Sequence, residues 1–235
     1  MFLALREAQE RLRVEPGVRA VVLHGEGPSF CSGLDVAAVA AGELDVGELI
    51  DRPNDETANL AQTAAHGWRA LPMPVVAAVH GACFGGGLQI ALGADIRIVA
   101  TDARLSVMEI KLGLLPDMAI SGALPRLLRA DRAKELSFSG RQVEGAEAVE
   151  LGLATRVADP PLAAALELAA EIAASSPEAV RAIKRLFEEG WNEPPERTLR
   201  LETELVRTLL GSANQFEAVR AAMAGEVPDF ADPAT

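Results

Sequence analysis

Three consecutive glycines, Gly85, Gly86 and Gly87, lie within ACFGGGLQIALGADIRI (residues 82–98). Glycine packs poorly and loses much conformational freedom on folding, so such a cluster is typical of a place where another group approaches the backbone closely. Where a strand turns into a helix, the first backbone N–H groups have no partner inside the helix. These glycines therefore suit an oxygen atom that becomes negatively charged during a reaction.

The glycine cluster does not match the common phosphate-binding loops. A P-loop requires G-x-x-x-x-G-K-[ST], and no lysine follows these glycines. A dinucleotide fingerprint requires G-x-G-x-x-G, which the spacing of Gly81 and the three glycines does not supply. An oxyanion site remains, with a simple tight turn as the alternative.

An oxyanion site needs a second donor, and an earlier loop has the right character. In SFCSGLD (residues 29–35), Gly33 separates the end of a predicted strand from a predicted helix start at Asp35. This arrangement would present the N–H of Leu34 outward. Here too, the alternative is that the glycine serves only a turn.

The elements that must position these loops alternate between strands and helices. Helical spacing near the N-terminus is followed by a turn and a short apolar run, and MPVVAAVHG (residues 73–81) predicts a second strand before the glycines. Further short strands are predicted over residues 95–101, 103–110 and 154–159. From Pro160 onward the pattern is helical, with Ser176 as an N-cap and Pro177 at the first helical position. We predict a layered α/β core with C-terminal helices outside it.

Composition narrows the functional classes. With 235 residues and 49% hydrophobic content, the chain can bury a substantial core. A formal net charge of −12 argues against nucleic acid as the main partner, and no long uncharged apolar segment predicts a membrane span. Cys31 and Cys83 provide no disulfide framework, which indicates reduced thiols in a cytoplasmic protein. No cluster has metal-ligand spacing, so we expect no metal.

Three motifs in order resemble the enoyl-CoA hydratase/isomerase (crotonase) family. They are GPSFCSGLD, the long segment from PVVAAVHGACFGGG to LGLLPD, and GRQVEGAEAVELGLATRV, and the similarity continues to GEVPDF near the end. The resemblance implies a spiral of βαβ units with C-terminal helices that pack in trimers. It also implies an acyl-CoA thioester substrate, whose coenzyme A makes a separate cofactor unnecessary.

By this resemblance, the thioester carbonyl oxygen accepts hydrogen bonds from the N–H groups of Leu34 and Gly86. The neighbouring positions implied to contact substrate are Ser32, Gly33, Asp35, Gly85 and Gln89. Polarising the carbonyl acidifies the adjacent carbon, so carboxylates near the acyl chain can move protons.

The carboxylates are where this chain departs from the hydratases of the family. Those enzymes use glutamates at the positions of Gln89 and Glu109, and a glutamine cannot act as a base. Gln89 is expected to orient the ligand or Glu109. Asp117 stands where hydratases usually carry glycine, and a carboxylate there resembles the dienoyl-CoA isomerases and the aspartate nucleophile of aroyl-CoA dehalogenases. Its alternative role is the N-cap of the following helix.

Three hypotheses follow. The favoured one is an isomerase that shifts a C=C bond of an enoyl- or dienoyl-CoA, with Glu109 and Asp117 as proton carriers. The second is a hydratase in which Glu109 works alone and Gln89 positions the water. The third is a non-catalytic acyl-CoA-binding protein.

We expect a crotonase-like core over residues 1–190 and a helical oligomerisation region over residues 191–235. The predicted outcome is a homotrimer or a dimer of trimers, because the C-terminal region carries more apolar surface than it would bury alone. The apolar residues at helical spacing are Leu201, Leu205, Leu209, Phe216, Val219 and Met223.

Overall fold

The computed structural model describes residues 1–42, 45–52 and 56–232. Its strands are β1 (Val21–His24), β2 (Val75–Val79), β3 (Ala82–Phe84), β4 (Ile96–Val99), β5 (Arg104–Ser106), β6 (Val143–Glu144) and β7 (Arg156–Val157). The α-helices of the first half are α1 (Phe2–Val14), α2 (Val36–Ala40), α3 (Val46–Ile50), α4 (Leu60–Arg69) and α5 (Gly86–Leu92). Those of the second half are α6 (Ile120–Leu127), α7 (Ala130–Ser139), α8 (Gly145–Leu151), α9 (Pro161–Ala173), α10 (Pro177–Gly190), α11 (Pro195–Leu209) and α12 (Ala213–Ala224).

The strands form two sheets. One has the order β1-β2-β4-β7, and its β2–β4 and β4–β7 pairs are parallel. The other has the order β3-β5-β6, with β3 and β5 parallel and β6 antiparallel to β5. Every residue of β2 is buried, as expected for a strand covered on both faces in a parallel sheet. The predicted α/β architecture is confirmed.

The chain divides into two compact units. The first contains Met1–Arg11, Val22–Leu71 and Val75–Leu166, and it holds both sheets apart from Val21. The second contains Leu12–Val21, Pro72–Pro74 and the chain from Glu167 onward. The predicted boundary after residue 190 falls at the end of α10, inside the second unit, and the last three residues of the predicted C-terminal region lie outside the described residues.

The second unit is helical, as the sequence predicts. Ser176 caps α10 by accepting a hydrogen bond from the N–H of Ala179, with Pro177 in the first turn. Of the six apolar residues that predict oligomerisation, Leu205 is buried in this unit, whereas Phe216, Val219 and Met223 are exposed. Trimer formation stays a prediction. Among the described residues, no helix is long and apolar enough to cross a membrane.

Two element assignments from sequence are wrong in detail. The predicted strand over residues 103–110 stops at Ser106, and Glu109–Leu112 form a 3₁₀ helix that Gly113 ends in the left-handed conformation. The short strand β3, which the sequence analysis did not predict, separates β2 from the glycines and belongs to the other sheet. Short apolar runs do not distinguish strand from helical turn by periodicity alone, which explains both errors.

Helix α5 packs closely against α4. Gly93 is the C-cap residue that follows α5, and a Cβ atom there would overlap the carbonyl oxygen of Ala65 in α4. Because that oxygen belongs to the backbone of a buried helix, it cannot move away cheaply. Gly122, inside α6, has space for a side chain, since a Cβ atom added there would have no neighbour within 4 Å among the described residues outside its own helix turn.

We therefore expect Gly93→Ala to lower the free energy of unfolding by about 1–3 kcal/mol, the usual cost of overpacking. Gly122→Ala is the matched control and should raise it by about 0.5–1 kcal/mol, because alanine is the better helix former. Urea denaturation of both variants measures the difference. Equal stability of Gly93→Ala and the parent protein would contradict the described packing.

Candidate active site

The two glycine loops that the sequence analysis singled out lie side by side. Cys31 forms a parallel bridge with Cys83: its N–H donates to the carbonyl of Ala82 at 3.0 Å, and its carbonyl accepts from the N–H of Phe84, also at 3.0 Å. The chain that continues from Cys31 therefore runs along β3 toward the start of α5. A Cβ atom at Gly33 would lie 3.8 Å from the backbone nitrogen of Gly86.

Backbone conformation and lack of space explain why glycines occupy this cluster. Gly85 adopts φ +53° and ψ −122°, a conformation that favours glycine, while its N–H donates to the carbonyl of Ser106 at 2.9 Å. A Cβ atom at Gly87 would overlap the carbonyl oxygen of Cys31. The group that approaches the glycines closely is thus the backbone of the neighbouring loop.

This contact leaves two backbone donors near each other. Gly86 is the first residue of α5, and Leu34 precedes the N-cap residue Asp35 of α2. Within the described part of the chain, neither the N–H of Gly86 nor that of Leu34 donates to an acceptor. Leu34 is 37% exposed, so its N–H lies in a segment open to a ligand.

The side chains of Gln89 and Glu109 meet beside this loop pair. Gln89 lies on α5 and is only 2% exposed, and its Nε2 donates to Oε1 of Glu109 at 2.6 Å. Glu109 begins the 3₁₀ helix and is half-buried. Its other oxygen, Oε2, is buried and has no hydrogen-bond partner among the described residues, which is costly for a carboxylate unless a ligand engages it. A Cβ atom at Gly85 would lie 3.2 Å from Oε1 of Glu109, so this carboxylate borders the glycine loop.

The environment raises the pKa of Glu109 above its usual value. Burial is the main cause, and the negative charge of Asp117 adds to it. Hydrogen bonds from backbone groups and from Gln89 act in the opposite direction, because they stabilise the charged form. A carboxylate with a raised pKa is a better proton acceptor near neutral pH. Partial burial of Glu109 is also what the sequence predicts from its apolar neighbours Leu105, Val107 and Ile110, and it is confirmed.

Asp117 is exposed and lies close enough to Glu109 to influence its titration. The alternative role as a helix cap is wrong: α6 begins at Ile120, and its N-cap position is occupied by Ala119 in the left-handed conformation, with no side-chain cap. The reason is a contact with a distant segment, since the N–H of Met118 donates to Oε1 of Gln89 at 2.8 Å just before the helix starts.

The remaining predicted residues fall around the same loops. Ser32 is exposed beside Gly33, and Asp35 uses its carboxylate to cap α2, accepting from the N–H of Ala38 at 3.0 Å. One neighbour was missed by sequence reasoning: the buried Met118, whose Sδ would lie 2.9 Å from a Cβ atom at Gly86. Methionine carries no chemical signal that would single it out.

The buried Cys83 adds no reactive thiol to the glycine loops. Burial raises the pKa of the Cys83 thiol, and Cys31 contributes to the same direction, so Cys83 is kept in the unreactive protonated form. Among the described residues, no group of histidine, cysteine, aspartate and glutamate side chains could hold a metal ion.

Solved structures with the same architecture define the fold class. An enoyl-CoA hydratase from Bacillus anthracis superimposes with a TM-score of 0.89 and 28% sequence identity, covering 97% of this chain and 87% of the other. A probable enoyl-CoA hydratase/isomerase from Mycobacterium abscessus gives a TM-score of 0.84 and 33% identity, covering 97% and 87%. The fold is the crotonase fold, as the sequence analysis predicted.

Sequence comparison identifies the family. The enoyl-CoA hydratase/isomerase family matches residues 1–230. A probable enoyl-CoA hydratase of Bacillus subtilis is 31% identical over 96% of this chain and 86% of its own length. An enoyl-CoA isomerase/hydratase of Mycosarcoma maydis is 35% identical over 92% and 77%. The chain belongs to the enoyl-CoA hydratase/isomerase family.

The electrostatic link between the two carboxylates can be measured directly. Replacing Asp117 by asparagine removes a negative charge that raises the pKa of Glu109, so this pKa should fall in Asp117→Asn. The measurement is an NMR titration of protein labelled with ¹³C at the glutamate side-chain carboxyl carbon. The resonance that is absent from the spectrum of Glu109→Gln is assigned to Glu109.

Asp102→Asn is the matched control, because Asp102 is also an exposed aspartate but has no part in the Glu109 environment. Its Glu109 titration should equal that of the parent protein. If the Glu109 midpoint stays the same in Asp117→Asn as well, the two carboxylates do not share a site.

Proposed function

We propose that this protein shifts a C=C bond of an enoyl- or dienoyl-CoA thioester. The observation that carries this proposal is the arrangement of side chains at the glycine loops: two carboxylates that interact, Glu109 and Asp117, beside a glutamine that cannot exchange a proton as a base. A bond shift needs a proton removed from one carbon and a proton delivered to another. It needs no activated water.

The proposed oxyanion site uses the N–H groups of Leu34 and Gly86. The thioester carbonyl oxygen gains negative charge as the adjacent carbon loses its proton, and two fixed donors stabilise that charge. Ser32, Gly33, Asp35 and Gly85 are proposed to line the path of the thioester beside these donors. The acyl chain would then extend toward Glu109, which borders Gly85.

In this mechanism the two carboxylates have different environments. Glu109 is half-buried with a raised pKa, and its Oε2 has no partner in the part of the chain that the structure describes, so this oxygen is proposed to take the proton. Asp117 is exposed, so it is proposed to take a proton from solvent and deliver it at the other end of the shifting double bond. The reaction conserves the atoms of the substrate, because one proton leaves and one arrives.

Water addition is the second candidate, and the names of relatives favour it. The Bacillus subtilis relative is described as a probable enoyl-CoA hydratase, and a mouse relative 30% identical to this chain as a methylglutaconyl-CoA hydratase. In this alternative Glu109 activates the water alone. The glutamate that the hydratase pattern has at residue 89 is absent, because Gln89 occupies its position and donates to Glu109.

The oxyanion assignment is tested at Gly86, the first position of α5, where proline is tolerated. Gly86→Pro removes the N–H, so we expect kcat to fall on the order of 100- to 1000-fold. Gly86→Ala is the control: it places a similar carbon against Met118 but keeps the N–H, and its kcat should fall much less. Equal activity of two folded variants would contradict the assignment.

The carboxylate roles are tested with Glu109→Gln and Asp117→Asn, which keep shape and remove the exchangeable proton. Each should lower the rate of isomerisation by about 100-fold or more, the usual scale of general acid–base catalysis. Asp102→Asn, an exposed carboxylate outside the site, should retain the parent rate. The substrates are a panel of enoyl- and dienoyl-CoA thioesters in D₂O, where mass spectrometry detects an isomer by its deuterium and a hydrate by its added water.

Thermal unfolding provides the structural control, with Asp117→Ala added to the same variants because asparagine caps a helix as well as aspartate does. The N-cap position of α6 is Ala119, so neither Asp117 variant should show the loss of about 1 kcal/mol that follows removal of a cap. Full isomerase activity in Asp117→Asn would exclude the two-carboxylate mechanism. A product heavier by one water would instead support the hydratase.

A further inference from the structure

The amide of Gln89 is hydrogen-bonded at both ends within the protein. Its nitrogen donates to Oε1 of Glu109 at 2.6 Å, and its oxygen accepts from the backbone N–H of Met118 at 2.8 Å. The side chain is 2% exposed and comes from α5, the same helix that starts at Gly86. A carboxylate acceptor on one side and an N–H donor on the other leave only one orientation of the amide that satisfies both.

These two hydrogen bonds reach both carboxylate-bearing segments of the site. Through its nitrogen, Gln89 engages Glu109 at the start of the 3₁₀ helix. Through its oxygen, it holds Met118, the residue directly after Asp117. The next residue, Ala119, has a φ of +63°, an unfavourable conformation for alanine that persists only where surrounding contacts impose it. The hydrogen bond from Met118 is one such contact.

We propose that Gln89 is a positioning residue that holds Glu109 and the Asp117 segment in a fixed relation and leaves Oε2 of Glu109 as its single reacting oxygen. The sequence left open whether Gln89 orients the ligand or Glu109, and this inference assigns it to Glu109. It differs from the expectation that Gln89 contacts substrate or positions water, because both polar ends of its amide are already engaged. The part that concerns Asp117 rests on the proposed isomerase function. The part that concerns Glu109 holds for either reaction of the family.

The same geometry explains why glutamine suits this position. A glutamate at residue 89 would place a second carboxylate oxygen where Nε2 now lies, 2.6 Å from Oε1 of Glu109. Two negative charges at that separation cannot both persist, so the pair would retain a shared proton. Glutamine supplies a donor instead and keeps Glu109 able to ionise as a single base.

The test compares Gln89→Met and Gln89→Glu with the control Gln9→Met. Methionine approximates the volume of glutamine without hydrogen bonds. Gln9 is a matched control because it is also 2% exposed. Its amide, oriented so that the oxygen faces the Trp68 indole N–H, accepts from that group at 3.1 Å and donates to the carbonyl of Thr63 at 3.2 Å.

The first readout is the ¹³C NMR titration of Glu109, which needs no substrate. In Gln89→Met the carboxylate loses a donor that lowers its pKa, so the titration midpoint should move up by about one pH unit, the scale of one charge-assisted hydrogen bond. In Gln89→Glu the added carboxylate should also move the titration midpoint of Glu109 up. The double variant that also carries Glu109→Gln assigns the resonances of the two glutamates. Gln9→Met should lose stability without moving the Glu109 midpoint.

The second readout is the pH dependence of kcat/KM for whichever product the parent enzyme forms. The base must be ionised, so activity falls as the pH drops through its pKa, and this acid limb should move to higher pH in Gln89→Met by the same amount as the NMR midpoint. If Gln89→Met does not fold, Gln89→Glu decides, because it keeps an acceptor for the N–H of Met118. Unmoved Glu109 midpoints in the folded Gln89 variants would overturn the proposal.

Product identity keeps the two proposals separate. If the parent enzyme forms a hydrate and the Glu109 midpoint moves in the Gln89 variants, the isomerase function fails while the positioning of Glu109 stands. If the parent enzyme isomerises and the midpoint does not move, the positioning role fails while the isomerase stands. A midpoint that moves equally in Gln9→Met would show a general effect of lost packing and would overturn the positioning role.

Discussion

The backbone of Cys31 lies so close to the first turn of α5 that residue 87 has no room for a side chain. This contact, together with the bridge between Cys31 and Cys83, brings the segment Gly33–Leu34 beside the nitrogen of Gly86. Two N–H groups from segments some fifty residues apart thereby become neighbours without a bonded acceptor in the described chain. The rest of the site depends on this contact, because Gln89 and through it Glu109 are placed by the same short helix.

Much of this arrangement could be predicted from the sequence. The glycine cluster indicated a close approach of the backbone, and Gly33 before Leu34 and Asp35 indicated a second turn that presents an N–H group. Asp35 does begin α2, and Glu109 is half-buried, as Leu105 and Val107 nearby suggested. These predictions succeeded because each depends on local backbone chemistry or on burial, which residue types reveal directly.

The parts that were not predicted depend on contacts between distant segments. Gly81 indicates the end of β2, but nothing in the sequence shows that the next three residues form a strand of the other sheet, because that pairing is set by partners far along the chain. Asp117 before a helical pattern suggests a cap, yet the hydrogen bond from Met118 to Gln89 turns the chain so that Ala119 takes that position. The role of Gln89 could not be fixed for the same reason, since both of its partners lie at least twenty residues away.

In the proposed reaction a proton leaves one carbon of an acyl-CoA chain and another arrives elsewhere on it, with no water added. The decisive experiment incubates the parent enzyme with enoyl- and dienoyl-CoA thioesters in D₂O and analyses the products by mass spectrometry. Because Asp117 is exposed to solvent, we expect an isomer that carries deuterium at the carbon that is reprotonated. A product that has instead gained one molecule of D₂O, with no labelled isomer, would contradict the proposed reaction.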